Sequence, residues 1–173
     1  MSTKILTYKN IIQLAAIDIL LVAISCMLPV LAHSTSFPLY FFDPMRIVVL
    51  AGLLWGASRK NAFLLAVAVP LLTFWVTGHP MLPKGLLIAA ELTVNLLLFV
   101  WLGRRIRQVF FCMLLSILLS KAVYYLLKWI LISTLLPAQP LVGAGLGVQL
   151  AVAVAISLCF AFVAARQKNS QPN

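Results

Sequence analysis

The chain has 173 residues, of which 64% are hydrophobic and only 9% are charged, and this composition excludes an ordinary soluble domain. Its formal net charge is +10 at pH 7, but the basic residues are spread over short gaps between apolar segments, so nucleic-acid binding is not expected. A membrane-spanning helix needs about 20 apolar residues. Most of the chain is therefore committed to the bilayer, and we expect a single integral membrane domain over residues 1–173.

Six apolar segments follow one another and predict an all-α membrane protein, a bundle of six transmembrane helices. We place the helices at residues 11–32, 45–57, 62–77, 84–102, 109–136 and 141–165. The first segment resembles a signal peptide. It is longer than the roughly 7 to 15 residues of a signal core and contains Asp18, so we expect it to be kept as a helix.

Basic residues indicate the side of the membrane on which each connection lies. They precede the first segment, follow the sixth and fill the gaps after the second and fourth: Lys4, Lys9, Arg59, Lys60, Arg104, Arg105, Arg107, Arg166 and Lys168. Because cationic loops are retained in the cytoplasm, both termini are predicted to be cytoplasmic. This is the pattern of a multi-pass protein of the bacterial cytoplasmic (inner) membrane.

The connections around residues 33–44, 78–83 and 137–140 are then external, and proline stiffens each of them. The first has the sequence AHSTSFPLYFFDP, and its aromatic residues, Tyr40 among them, either cover a cavity or form an interfacial aromatic belt. His79 has no carboxylate or cysteine spaced near it. It is therefore predicted to be a loop residue or a contact of a lid, and not a metal ligand.

Ionisable side chains inside apolar segments cost about 2.5 to 3.5 kcal/mol each on insertion scales, so each needs a partner, a wet cavity or a route to the interface. Two helices carry polar residues on one face each: Lys84, Glu91 and Asn95 on the fourth, and Lys121, Tyr124, Tyr125 and Lys128 on the fifth. The connection between these helices is short, which makes them antiparallel neighbours. The two polar faces are predicted to meet.

Counting residues from the predicted helix ends, at a rise of about 1.5 Å per residue, predicts which side chains pair. Glu91 and Lys128 should lie at similar depth, roughly 10 to 12 Å from the external side, and form a structural salt bridge or contact a ligand together. Lys121 should lie near the middle of its helix, where no anion of the fourth helix matches its depth. It is therefore predicted to face a ligand.

Four polar residues receive structural predictions. Asp18 and Asn95 lie at comparable distances from the cytoplasmic side, which favours a hydrogen bond between them. Arg46 and Lys84 begin helices at the external interface, where a long side chain reaches water at little cost. Anchoring is the predicted role of both, and ligand contact is the alternative.

No sequence pattern indicates an enzyme. The chain lacks a nucleophile paired with a base, paired acids, an HExxH helix and a glycine-rich phosphate loop. Cys26, Cys112 and Cys159 lie in three different segments without metal-ligand spacing, so they are predicted to be packing residues. We expect no catalytic residue, no metal site and no cofactor.

Three features together suggest a known family: the six segments, the long first external loop and two characteristic stretches. The stretches are DPMRIVVLAGLLWGASRKNAFLLAVAVPLL and TGHPMLPKGLLIAAELTVNLLL. The chain resembles the S component, the substrate-binding membrane subunit, of energy-coupling factor (ECF) vitamin transporters. The overall pattern covers most of the chain, and the motifs that carry it lie between Pro44 and the helix that contains Glu91. It departs in the first helix, where the family usually has an Ala-x-x-x-Ala pattern and this chain has Ala15, Ala16 and Ala23.

The resemblance implies a subunit that binds a vitamin or related micronutrient in an outward-facing pocket. It implies partners as well: a membrane coupling subunit on which the S component docks and topples, and two ATPase subunits. The cationic interior favours a ligand with a carboxylate or phosphate. The candidate ligand-binding residues are Lys121, Tyr124, Tyr125, Lys128, Glu91, Asn95, Lys84, His79, Arg46 and Tyr40.

Two other functions fit the same topology. A structural membrane scaffold resembling the MreD rod-shape family has a related size and helix count, would recruit cell-wall machinery and would bind no ligand. A small channel would need polar residues along several helices, and only two helices show them here. The composition of the interior distinguishes the substrate-binding subunit from the scaffold, because a scaffold needs no ligand cavity lined by Lys121, Tyr124 and Lys128.

Overall fold

The computed structural model describes residues 15–27, 42–55, 59–78, 80–134 and 145–169. These residues form six helices: α1 Ala15–Met27, α2 Pro44–Trp55, α3 Arg59–Thr77, α4 Leu82–Leu102, α5 Val109–Thr134 and α6 Leu146–Asn169. Within the described ranges no strand occurs. Each of the six predicted apolar segments overlaps one of these helices, so the described residues confirm the all-α fold.

Four helices, α3 to α6, are long and apolar enough to cross a membrane. Their outward surfaces carry large apolar side chains, which suit contact with lipid: Leu64, Trp75, Leu86, Trp101, Leu126, Trp129, Leu158 and Phe162. The two shorter helices, α1 and α2, fall below this length as described. At 12 residues, α2 is about 18 Å long, well short of the roughly 30 Å hydrocarbon core.

The helices α2 to α6 pack as a closed ring, in which each contacts the next along the chain and α6 returns to contact α2. The centre of the ring is apolar and fully buried around Leu65, Leu92, Leu96, Met113 and Ile117. Helix α1 packs against this ring through Leu21 and Val22.

Turn chemistry sets the ends of the helices near the site. Gly78 has a positive φ of 72°, and its N–H donates to the carbonyl of Phe74 at 2.8 Å, which ends α3 in the left-handed conformation that glycine adopts without strain. Pro83 lies in the first turn of α4, where its missing N–H costs nothing.

One predicted hydrogen bond is wrong. Asp18 does not meet Asn95: its carboxylate accepts a hydrogen bond from Asn61 at 2.9 Å, while the amide of Asn95 donates to the Ser116 hydroxyl, also at 2.9 Å. The reason is the position of α1, which lies beside the end of the ring where α3 begins, whereas Asn95 faces α5 inside the ring.

Candidate functional site

Four charged side chains meet inside the bundle, one from the residue before α2 and one each from α2, α4 and α5, and we name them the charge cluster: Asp43, Arg46, Glu91 and Lys121. Arg46 Nη2 donates to Glu91 Oε1, and Arg46 Nε lies 2.9 Å from Asp43 Oδ2. Lys121 Nζ lies 3.3 Å from Glu91 Oε1 and 3.4 Å from Asp43 Oδ2. Cations and carboxylates alternate, so the charge cluster has no net charge when all four groups are ionised.

The local sequence Asp-Pro-Met-Arg builds one half of the charge cluster. Asp43 precedes α2, and its carbonyl accepts from the backbone N–H of Arg46 at 3.0 Å and of Ile47 at 3.2 Å. Pro44 follows at the first helical position, which suits its fixed φ. Asp43 itself has φ 51°, a left-handed conformation that Asp tolerates better than most residues. The spacing of three residues then brings its carboxylate beside Arg46.

Burial divides the charge cluster into two parts. The side chain of Arg46 is 1% exposed and that of Glu91 7%, whereas Lys121 and Asp43 are 22% and 23% exposed. Asp43 is therefore a reachable carboxylate beside a reachable ammonium group.

The charge cluster lies deep in the bundle. Glu91 comes nine residues after the start of α4 at Leu82, about 14 Å along the helix, and Lys121 comes 13 residues before the end of α5 at Thr134, about 20 Å. Because Asp43 and Arg46 contact these residues, α2 begins at this depth. The prediction that Arg46 anchors a helix at the external interface is wrong.

The predicted partner of Glu91 is also wrong, since Glu91 pairs with Arg46 and Lys121 and not with Lys128. For the same reason Lys121 does have an anion on α4. The helices α4 and α5 have 21 and 26 residues, and Phe99 contacts Cys112 near the end where they connect. The extra length of α5 therefore extends beyond the start of α4. The prediction counted residues as if the start of α4 and the end of α5 lay at the same level, and they do not.

In the same antiparallel register, Lys84 lies seven residues before Glu91 on α4 and Lys128 lies seven residues after Lys121 on α5, so each lysine is about 10 Å along its helix from the charge cluster. Between this level and the charge cluster lies Tyr124, whose hydroxyl is within electrostatic reach of Glu91 and Asp43. A polar seam thus follows the α4 and α5 interface from the lysines to the charge cluster.

The remaining candidates lie elsewhere or outside the described residues. Tyr125 donates a hydrogen bond of 2.7 Å to Gln149 of α6. Asn95 is buried below the charge cluster and links α4 to α5 through Ser116. Tyr40 and His79 fall outside the described residues. The ligand contacts of the whole candidate set stay predictions.

Sequence reasoning missed Asp43, the second acid of the charge cluster. The signal was present in the Asp-Pro pair with arginine three residues after the acid, which is a helix start with a built-in ion pair. Among the residues that the structure describes, no group of three or more His, Cys, Asp or Glu side chains gathers where a metal ion could bind.

The chain was compared with models of protein families, with curated proteins and with solved structures, and no match was found in any of the three.

Proposed function

We propose that the chain is the substrate-binding subunit, the S component, of an ECF-type importer in the bacterial cytoplasmic membrane. It binds a vitamin or related micronutrient from the external side, with both termini in the cytoplasm. The observation that carries the proposal is the divided burial of the charge cluster: Arg46 and Glu91 are sealed, while Asp43 and Lys121 remain reachable. Charged groups that stay reachable at membrane depth are typical of substrate and ion pathways.

The shortness of α2 is consistent with a recess between the charge cluster and the predicted external side. Because α2 begins beside Glu91 and Lys121, it does not extend along the outer parts of α4 and α5. The polar seam through Tyr124 leads from this outer level to the charge cluster. A small molecule that enters from the predicted external side would meet polar groups along its path and a charge-balanced floor at the end.

The energy for import comes from partners in this proposal, a coupling subunit and two ATPase subunits. One face of α1 is exposed and formed by small and apolar side chains, as a surface that docks on another membrane subunit requires: Ala16, Ile19, Leu20, Ala23 and Met27. Affinity purification from membranes under mild detergent should retain these partners. Purification of the chain alone, with uptake intact, would contradict the docking part of the proposal.

Native mass spectrometry of the purified protein tests the binding function directly. The wild-type protein should carry a co-purifying small molecule, and Lys121→Gln should retain much less of it. Lys60→Gln is the matched control, because Lys60 is an exposed cation at the start of α3, far from the charge cluster. A wild-type protein without any bound molecule, from cells whose micronutrient uptake is unchanged by its deletion, would overturn the proposal.

A structural scaffold resembling the MreD family is the second candidate, and one observation favours it. The two cations and two carboxylates of the charge cluster balance each other in charge, so their ion pairs can hold α2, α4 and α5 together without a ligand. Deletion of the gene separates the two functions. An importer predicts a growth defect that one micronutrient rescues with cell shape unchanged, whereas a scaffold predicts rounded cells on every medium.

A further inference from the structure

We propose that the charge cluster binds a neutral amide-type group of the ligand, a group in which a hydrogen-bond acceptor lies beside a donor. Lys121 donates to the acceptor oxygen, and Asp43 accepts from the donor N–H. The inference rests on the proposed function and adds the chemical class of the ligand's polar end. It differs from the anion that the sequence favours, because that expectation counted the cations of the interior without Asp43.

The reachable side of the charge cluster has unused hydrogen-bonding capacity of both kinds. Lys121 Nζ lies 3.4 Å from Asp43 Oδ2 and 3.3 Å from Glu91 Oε1, and both distances exceed the roughly 2.7 to 2.9 Å of a close ammonium–carboxylate contact. An ammonium group has three N–H donors, so one remains after these contacts. Within the described part of the chain, both cations contact Asp43 at Oδ2, and Oδ1 has no partner there.

Arg46 shows independently that the charge cluster is incomplete. Its side chain is 1% exposed, and its buried Nη1 has no hydrogen-bond partner among the described residues. A buried charged donor without an acceptor is unfavourable, so an oxygen atom supplied by a ligand is an acceptor that the charge cluster lacks. Because Nη1 has no exposed surface in this structure, the ligand oxygen reaches it only through a movement of the neighbouring side chains.

The charge balance decides which kind of ligand group fits. Two cations and two carboxylates leave the charge cluster without net charge when all four groups are ionised. A carboxylate or an ammonium group of a ligand would bring an uncompensated charge to membrane depth, which costs far more than burying a neutral amide that is hydrogen-bonded. An amide has an oxygen acceptor next to an N–H donor, so it matches Lys121 and Asp43 and leaves the net charge at zero.

Tyr124 indicates what can lie next to the amide group. It follows Lys121 by three residues on α5, on the same face of the helix, and its side chain is half-buried. An aromatic ring attached to the amide therefore has an aromatic neighbour at this position. Benzamide combines the two features and is the probe that we select.

Three probes of nearly equal size test the charge class of the site: benzamide, benzoate and benzylammonium. Each is titrated at constant ionic strength into the purified protein in a neutral maltoside detergent, and thermal unfolding is measured. Benzamide should raise the wild-type Tm in a saturable way, with an apparent Kd about tenfold or more below those of the two ions. An equal or stronger response to either ion, or no response to benzamide, would overturn the inference.

Two substitutions should change the preferred probe, because each leaves the charge cluster with a net charge. Asp43→Asn removes a carboxylate at a position whose left-handed conformation Asn tolerates, and it should favour benzoate. Lys121→Gln removes a cation and should favour benzylammonium. Lys60→Gln removes an exposed cation at the start of α3 and should keep the wild-type order of the probes. The wild-type order in any folded variant of the charge cluster would contradict selection by its net charge and overturn the inference.

The molecule that the cell imports separates this inference from the proposed function. An imported micronutrient whose only polar groups are charged would overturn the inference and leave the proposed function standing. Selective binding of benzamide by a protein that imports no micronutrient would support the amide site and remove the proposed function.

Discussion

Arg46 is always charged, and the bundle tolerates its burial because two carboxylates lie beside it. Removing an ion from water costs several kcal/mol even after the protein relaxes, and pairing recovers this only with good geometry and further hydrogen bonds. Arg46 meets Glu91 on one side and Asp43 on the other, while Lys121 contacts both carboxylates. The four residues therefore depend on each other, and the loss of one leaves a buried charge without compensation.

Single substitutions in the charge cluster should reduce the free energy of unfolding by different amounts. The loss should be larger when the charged group that remains without its partner is more deeply buried. Arg46→Met leaves two carboxylates with one cation and should cost about 3 to 5 kcal/mol in the free energy of unfolding. Glu91→Gln should cost less, because Arg46 keeps Asp43, and Lys121→Met least, because its side chain is partly exposed. Denaturant unfolding in detergent measures the ranking, with Lys60→Met expected within about 0.5 kcal/mol of wild type. A larger loss in Lys121→Met than in Arg46→Met would contradict the assigned burial.

Asp43 contributes its carboxylate and also tolerates a backbone conformation that few residues adopt. Asp43→Gly and Asp43→Ala both remove the carboxylate, but only glycine adopts φ 51° without strain, so Asp43→Ala should be less stable by about 1 kcal/mol. Asp43→Asn should be the most stable of the three, since Asn also tolerates this conformation and can accept hydrogen bonds. The three Tm values, measured side by side, test the order. If Ala were as stable as Gly, the left-handed conformation would not be a constraint at this position.

At the scale of elements, α2 approaches α3 closely because residue 52 has no side chain. A Cβ at Gly52 would clash with Leu65 Cδ1, and Leu65 is fully buried, so it has little room to move. The small residue is thus what allows the short helix to pack into the ring, as small residues do in membrane helix pairs.

Gly52→Ala should destabilise the protein by about 1 to 3 kcal/mol through overpacking. Adding Leu65→Val should recover part of the loss, because it shortens the side chain that the new methyl group meets. Gly147→Ala is the control, since a Cβ at that position of α6 meets no atom within 4 Å, and this variant should be neutral or slightly more stable. Additive effects of the two substitutions in a double-mutant cycle would show that residues 52 and 65 are not coupled.

Hydropathy predicted the positions of the helices well, but the alignment of α4 relative to α5 was predicted poorly. Lengths and positions follow from apolar runs and from breakers such as Gly78 and Pro83, which act locally. The register between α4 and α5 depends on how far one helix extends beyond the other, and a residue count from predicted ends cannot give that. The charge cluster also depends on α2 starting in the interior, which a short apolar run does not reveal. Glu91, Asn95 and Lys121 do lie on the facing sides of α4 and α5, but Tyr125 bonds to α6, and the predicted partners of Glu91 and Asn95 were wrong.

At the scale of the whole molecule, the direction of the bundle decides whether the polar seam opens outward. Met81 and Arg105 lie beyond opposite ends of α4, a helix long and apolar enough to cross the membrane. The arginines that follow α4 should keep that end in the cytoplasm. With that direction, the polar seam and the recess proposed above α2 would face the outside, as uptake requires.

Cysteine labelling in intact cells tests this direction, in a background in which Cys26, Cys112 and Cys159 are replaced by alanine. A membrane-impermeant maleimide should label Met81→Cys directly and Arg105→Cys only after permeabilisation, because a helix that crosses the bilayer keeps its two ends on opposite sides. Met81 is exposed, so its labelling needs no opening of the fold. The reverse pattern would place the start of α4, with Lys84, on the cytoplasmic side and remove the basis for uptake from outside. Labelling of both positions in sealed cells would show that α4 does not cross the membrane.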